Sequence, residues 1–191
     1  MRYDKGHKDE TRRHILDVAS AQFRESGIAA VGLAGIMSEA GLTNGAFYSH
    51  FASKEDLVRE VLTDALTRRE QRHKANVENG VALETTIRDY LSTRHRDHAG
   101  TGCPTAALVA EIARHPKPTR DAFTGKVADI IVLMAEQIGQ GSAEDRRRNA
   151  ITIYSTMVGA LQLARAVNDK SLSDEILENA VEAAVAIANE R

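Results

Sequence analysis

The fifteen residues from Ala40 to Lys54, AGLTNGAFYSHFASK, constrain the fold more tightly than any other stretch of the chain. Gly41 can take the left-handed conformation that closes a helix, and Thr43 is a suitable N-cap for the next one. Phe47 and Phe51 recur one turn apart, so both rings face the same side of a short helix. The other side carries Asn44, Gly45, Ala46, Tyr48, Ser49 and His50, which are small or hydrogen-bonding groups. Ser53 then caps a further helix, with Lys54 in its first turn and Asp56 at the capping-box position. A helix, a glycine turn and a short polar-faced helix predict a helix-turn-helix unit.

The residues upstream fit the same unit. Ile15, Ala19 and Phe23 repeat every fourth position, which marks an amphipathic first helix closed by Gly27. Leu33, Ile36, Met37 and Ala40 give the three-and-four spacing of a second helix. With the Phe47 and Phe51 segment these form three helices whose apolar stripes meet in one core. The ordered run from Asp9 to Val58 closely resembles the DNA-binding domain of the TetR family of transcriptional repressors. The Gly41-Leu42-Thr43 turn, Phe47-Tyr48, His50-Phe51 and Ser53-Lys54-Glu55 carry that likeness.

The resemblance implies an all-α chain whose third helix enters the major groove of an operator. It implies phosphate contacts from Thr43, Tyr48, His50 and Lys54. Arg12 belongs to a basic cluster with Arg2, Lys5, Lys8 and Arg13, and Lys54 lies across the motif from it. Asn44, Gly45 and Ala46 would approach base edges. Asn can pair with adenine bidentately, whereas Gly and Ala offer close approach or a methyl contact, so part of the specificity would come from DNA shape. Two positions depart from the family pattern. Gly32 stands where a capping Ser or Thr is common, and Gly35 within the second helix costs about 1 kcal/mol relative to Ala.

Charge places limits on how DNA could be held. The net charge is -2, and residues 1 to 75 hold 12 Lys and Arg against 11 Asp and Glu. No global field draws the chain to a polyanion, so a phosphate-binding surface must be a local patch. The single cysteine, Cys103, excludes an intrachain disulfide and fits a reducing compartment. MRYDKGHKDE lacks the apolar core of a secretory signal, and the apolar stretch Ile130 to Ala135 is too short to span a bilayer. A cytoplasmic protein with no membrane partner is expected.

Periodicity and breakers predict six more helices, for nine in all. The fourth contains Leu57 to Leu66 and runs into the charged stretch Arg68 to Lys74, ending at Asn79-Gly80. The fifth contains Leu83, Ile87, Tyr90 and Leu91. A flexible connector, 98–102, precedes a sixth helix over Thr105 to Arg114, and His115-Pro116-Lys117-Pro118 separates that from the seventh. Ser142 and Asp145 open the eighth, which reaches about Val167, and Ser173 caps the ninth. The expected organisation is a DNA-binding domain over 1–53, a connecting helix over 54–79, and a bundle over 80–191 for effector binding and dimerisation.

The eighth helix is apolar on most sides, from Ile151 to Val167, and so must be covered on most sides. A two-fold seam that pairs it and the ninth helix with their copies is the economical reading, with Val158, Leu161 and Ala184 as contacts. The alternative is a monomer with a broad core. The resemblance implies the homodimer, and an unidentified small-molecule effector bound among the fifth to eighth helices. Tyr90, Cys103, Phe123, Met134 and Met157 are candidate pocket residues, although Met and aromatic side chains at helical spacing also build ordinary cores.

No nucleophile elbow, HExxH, P-loop or dinucleotide turn is present, so neither an enzyme nor a cofactor is expected. His95, His98 and Cys103 form one loose potential metal set, but Arg94 and Arg96 flank the histidines and would repel a cation. Cys103 just before Pro104 admits two readings. One is a thiolate sensor of oxidants or electrophiles at a helix N-terminus, and the other a small buried core residue. The reading overall is a ligand-released transcriptional repressor, with a Cys103 redox sensor and a helical enzyme or binding module as alternatives.

Overall fold

Only three prolines, and a majority of the glycines at segment ends, leave long runs free to coil. The computed structural model describes residues 5–189, and the elements described are helical. They are α1 (Lys5–Ser26), α2 (Leu33–Glu39), α3 (Asn44–Phe47), α4 (Lys54–Glu78), α5 (Leu83–Tyr90), α6 (Thr93–Asp97), α7 (Pro104–Ile112), α8 (Lys117–Gln137), α9 (Ala143–Ala166) and α10 (Lys170–Asn189). A 3-10 turn, Ala99–Thr101, lies between α6 and α7. No helix among the described residues is long and apolar enough to cross a membrane.

Two apolar cores form. The first joins Ile15, Phe23, Ile36, Met37, Phe47 and Phe51 to Leu57 and Leu62 of α4 and to Leu108 and Ile112 of α7. The second is built from α5, α7, α8, α9 and α10 with Leu66 of α4, and includes Ile87, Tyr90, Cys103, Met134, Met157 and Leu161. Helices α4 and α7 therefore contribute to both.

The structure revises several expectations. Helix α6 is additional, and Ser92 caps it by accepting the His95 N–H at 3.2 Å. The connector over 98–102 is not flexible but docked on α1. Arg24 Nε donates to the Gly100 carbonyl at 2.6 Å, and Gly100 abuts the Glu25 side chain so closely that a Cβ would collide with it. Helix α8 begins at Lys117, inside the segment read as a break, because Pro118 is tolerated in a first turn.

Ser173 is not the cap of the last helix. The Asp169 carboxylate accepts the Ser171 and Leu172 N–H groups at 2.8 and 3.2 Å and takes that role. Ser173 lies buried within α10 and donates to the Ala164 carbonyl of α9 at 2.6 Å.

Val158, Leu161 and Ala184, expected at a two-fold seam, face the protomer's own core instead, and Leu161 is 0% exposed. The cover that α9 needs is supplied mostly from within, by α6, α7, α8 and α10. What remains open on α9 is a different stripe, the exposed Ile151, Ser155 and Leu163 with the half-buried Gly159, recurring every fourth residue. On α10, Leu172, Ile176, Ala183 and Ile187 share a face that also lacks charge.

Candidate nucleic-acid interface and ligand core

The turn between α2 and α3 is set by hydrogen bonds that glycine alone accommodates easily. Gly41 has φ +69°, its N–H reaches the Ser38 carbonyl at 3.0 Å, and the Leu42 N–H reaches Met37 at 2.8 Å. This pair of bonds is the Schellman arrangement. Thr43 has the extended backbone of an N-cap (φ −82°, ψ 152°), but its side chain makes no capping hydrogen bond. Helix α3 is a single turn, and Tyr48 to His50 follow as a turn held by the His50 and Phe51 N–H groups on the Phe47 carbonyl.

The two faces of this segment separate cleanly. Phe47 and Phe51 are buried and stacked, with centroids 5.5 Å apart. Tyr48 is 69% exposed and meets Phe47 edge-on at 5.2 Å. Asn44 and Gly45 are exposed, while Ala46 is half-buried and packs against the core. His50 Nδ1 has no hydrogen-bond partner. Burial, with Lys8 and Arg12 nearby, holds the His50 pKa below its ordinary value.

The basic residues are more occupied than the sequence suggests. Arg12 pairs with Glu60 of α4 and lies over the Phe51 ring, 4.9 Å from its centroid. Arg13 pairs with Asp64 at 2.5 Å. Arg2 and the side chain of Lys5 lie outside the described residues. Lys54 Nζ donates to the Ile28 carbonyl at 2.7 Å, closing the loop after α1. Ser53 caps α4 by accepting the Asp56 N–H, whereas Asp56 reaches back to the Ala52 N–H and not to Ser53.

Sequence reasoning missed the seam between the two halves. Glu111 of α7 accepts the Ile28 and Ala29 N–H groups at 3.1 and 2.9 Å. Glu55 of α4 meets His115 Nδ1 at 2.9 Å and accepts a bond from the Thr119 hydroxyl. A cavity of about 630 Å³ opens beside these groups. Its partners are 60 or more residues apart for the Glu55–His115 bond and 82 for Glu111–Ala29, so no local pattern announces them.

Of the expected pocket residues, Tyr90, Cys103, Met134 and Met157 are buried together in the second core, and the half-buried Phe123 packs against it. Tyr90 also borders a cavity of about 240 Å³ whose other walls are polar, including Arg69, Arg72, His73, Thr86 and His95. Cys103 is the N-cap of α7 and 0% exposed. Burial pushes its thiol pKa up, but Arg69, the Tyr90 hydroxyl and the Ala106 and Thr105 amides outweigh that and hold it below the usual thiol value.

His95 fixes the strap before α7. Its Nε2 accepts the Cys103 N–H at 2.8 Å, so the ring proton sits on Nδ1 and is donated to the Tyr90 carbonyl at 2.6 Å. His98 Nδ1 lies 2.8 Å from the Arg94 carbonyl. With both His95 nitrogens committed, the loose His95, His98 and Cys103 set does not assemble as metal ligands, and no such group occurs among the described residues.

Burial, with Arg69 and Arg165 nearby, lowers the His95 pKa to about 4 although the Tyr90 carbonyl favours the charged ring. The unfolded chain therefore takes up this proton at higher pH than the folded one. Stability is lost as pH falls from about 6.5 toward 4, by about 2 kcal/mol after allowing for solvent screening of this part-exposed ring. Unfolding free energies from urea titration at pH 7 and pH 4.5 should converge by that amount in His95→Gln. An unchanged acid dependence would remove His95 as its source.

The family model described as bacterial regulatory proteins, tetR family, matches residues 15–61, and that of the tetracyclin repressor-like C-terminal domain matches 82–180. The HTH-type transcriptional regulator AcrR of Shigella flexneri is 45% identical over 60 residues, 31% of this chain and 28% of the relative. The HTH-type transcriptional repressor KstR2 of Rhodococcus jostii is 30% identical over 92 residues, 48% of this chain and 45% of the relative. The chain thus spans less than half the length of either relative. Among solved structures, a TetR-family regulator from Cytophaga hutchinsonii has a TM-score of 0.78 at 18% identity, covering 98% of this chain and 100% of that one. The reduced form of E. coli NemR has a TM-score of 0.76 at 23% identity, covering 92% and 95%.

Proposed function

The chain belongs to the TetR family of bacterial regulatory proteins, and on that premise we propose a homodimeric transcriptional repressor released from a palindromic DNA operator by a small-molecule effector. The observation that carries this reading is the α2–Gly41–α3 unit, which buries Phe47 and Phe51 while presenting Asn44, Gly45 and Tyr48 outward. In this reading Asn44 reads a base edge and Gly45 allows close approach. The hydroxyls of Thr43 and Tyr48 and the imidazole of His50 meet phosphates. Lys54 and Arg12 act first as braces, and their charge supports the phosphate patch from behind.

Dimerisation uses the uncharged stripes of α9 and α10, each meeting its own copy across a two-fold axis. That axis sets the recognition helices about 34–36 Å apart, or a multiple of it, for successive half-sites. An effector acts by binding one spacing better than another, with coupling of about 1–3 kcal/mol. The seam of Glu111 and Glu55 is the mechanical link, because it ties α7 and α8 to the loop after α1 and to the start of α4.

Selection of genomic DNA fragments with the purified protein tests the function. Enrichment of a short palindromic duplex, bound less tightly as salt rises, is the expected result. Recovery of no fragment above bulk DNA would overturn it. The setting of Cys103 beside Arg69 at the N-terminus of α7 favours a second reading, a redox- or electrophile-sensing repressor. Peroxide-induced release from DNA that disappears in Cys103→Ser would carry this second reading, and release that persists would remove it.

A further inference from the structure

Arg12, Arg13, Arg59, Arg68, Arg88, Arg96 and Arg148 each pair with a carboxylate. Arg69 is not among them. Its guanidinium is half-buried over the Tyr90 ring, 4.7 Å from the centroid, and no carboxylate among the described residues lies within ion-pair distance. Arg72, one turn along α4, is likewise without a carboxylate partner, and both arginines line the cavity of about 240 Å³. The Cys103 thiol is the nearest group that can offset the Arg69 charge, so neither arginine has a carboxylate of its own and an anion in the cavity would complete both.

The rest of the cavity agrees. The Thr86 hydroxyl is buried without a hydrogen-bond partner and belongs to its lining, together with Tyr90, which also leans on the Cys103 thiol, and His73, which also leans on Gln137. Asp89 stands at the exposed rim, so two arginine charges face one carboxylate. That balance suits a single negative charge better than two. The Tyr90 ring, met edge-on by His95 at 4.7 Å and covered by Arg69, holds that guanidinium at the cavity. A second cavity, of about 370 Å³, shares Arg69 and Arg72 and reaches Arg24 and Ser20 of α1.

We propose that this cavity binds a small organic acid whose monocarboxylate is held by Arg69 and Arg72. Arg offers the paired N–H geometry that a carboxylate accepts. The ligand would sit against α4, α5 and the 3-10 turn that Arg24 ties to α1, so its arrival bears on the DNA-binding half directly. As an effector assignment the inference rests on the reading of the chain as a ligand-released repressor, but the binding event does not need DNA.

The test is calorimetry of the full chain at fixed ionic strength with sodium benzoate as the probe, benzyl alcohol as its neutral counterpart, and inorganic phosphate. Saturable benzoate binding is expected, weaker by about tenfold or more for benzyl alcohol and in Arg69→Gln. Arg72→Gln, at an exposed position, keeps the test valid should Arg69→Gln fail to fold, and it should lose benzoate by about tenfold as well. Equal binding of benzyl alcohol, benzoate affinity unchanged in both variants, or no saturation by benzoate would overturn the proposal. Phosphate binding more tightly than benzoate would also overturn it, by assigning the site to inorganic oxyanions. Benzoate that binds as expected yet leaves a selected DNA complex unaffected would fault the repressor reading and leave the site standing.

Discussion

Leu161→Glu is expected to abolish folding of the second core, while Leu163→Glu, two residues along the same helix, should leave each protomer folded and break the dimer. Leu161 is 0% exposed and Leu163 is 58% exposed. A carboxylate at 161 loses the packing of a buried leucine and buries an unpaired charge, together costing about 4–5 kcal/mol or more. Domains have only about 5–15 kcal/mol to lose. At 163 the same carboxylate faces solvent in the monomer and meets its own copy only across a two-fold seam, where like charges repel and desolvate. Circular dichroism melts and sedimentation at micromolar concentration separate the cases. A Leu161→Glu chain that melts like the wild type would place that residue outside the core. A Leu163→Glu protein that still sediments as a dimer would move the interface off the Ile151 to Leu163 stripe.

The contrast between those two positions shows what the sequence could and could not disclose. Local signals were legible: the Schellman turn at Gly41, the inward pair Phe47 and Phe51, the Ser53 cap and the Ser142–Asp145 box are set by residues within a few positions of one another. Contacts of long sequence separation were not. Lys54 carries a charge that reads as free until its ammonium is found on the Ile28 carbonyl, and Arg12 until Glu60 faces it. The apolar spread of α9 signalled that the helix is enclosed, but not whether the cover comes from the same chain or a copy. The Met and aromatic positions that suggest a pocket by their spacing fill the core instead. The polar groups Arg69, Arg72 and Thr86 that border it come from helix faces that read as solvated.

The same separation of faces makes Phe47 and Tyr48 a decisive pair, because adjacent residues should fail in opposite ways. Phe47 is buried against Phe51 in the first core, and Phe47→Ala should cost about 3–5 kcal/mol through lost transfer energy and an unfilled cavity. The fully buried residues of the second core are distinct from that cluster, although α4, α7 and Phe123 touch both, so helicity should persist in part while an earlier unfolding step appears and DNA affinity collapses. Tyr48→Ala removes a side chain that is mostly in solvent, so stability should stay within about 0.5 kcal/mol. Its DNA affinity should nonetheless fall for all sequences alike, and the slope of log affinity against log salt should flatten by about one unit, as expected for one lost phosphate contact. Hydrogen exchange and salt titrations of binding read the two effects independently. Tyr48→Ala with an unchanged slope would take the hydroxyl off the phosphates. A Phe47→Ala protein of wild-type stability would mean that the short helix is held by its turns and not by its buried ring, and the outward presentation of Asn44 and Tyr48 would then lose its physical cause.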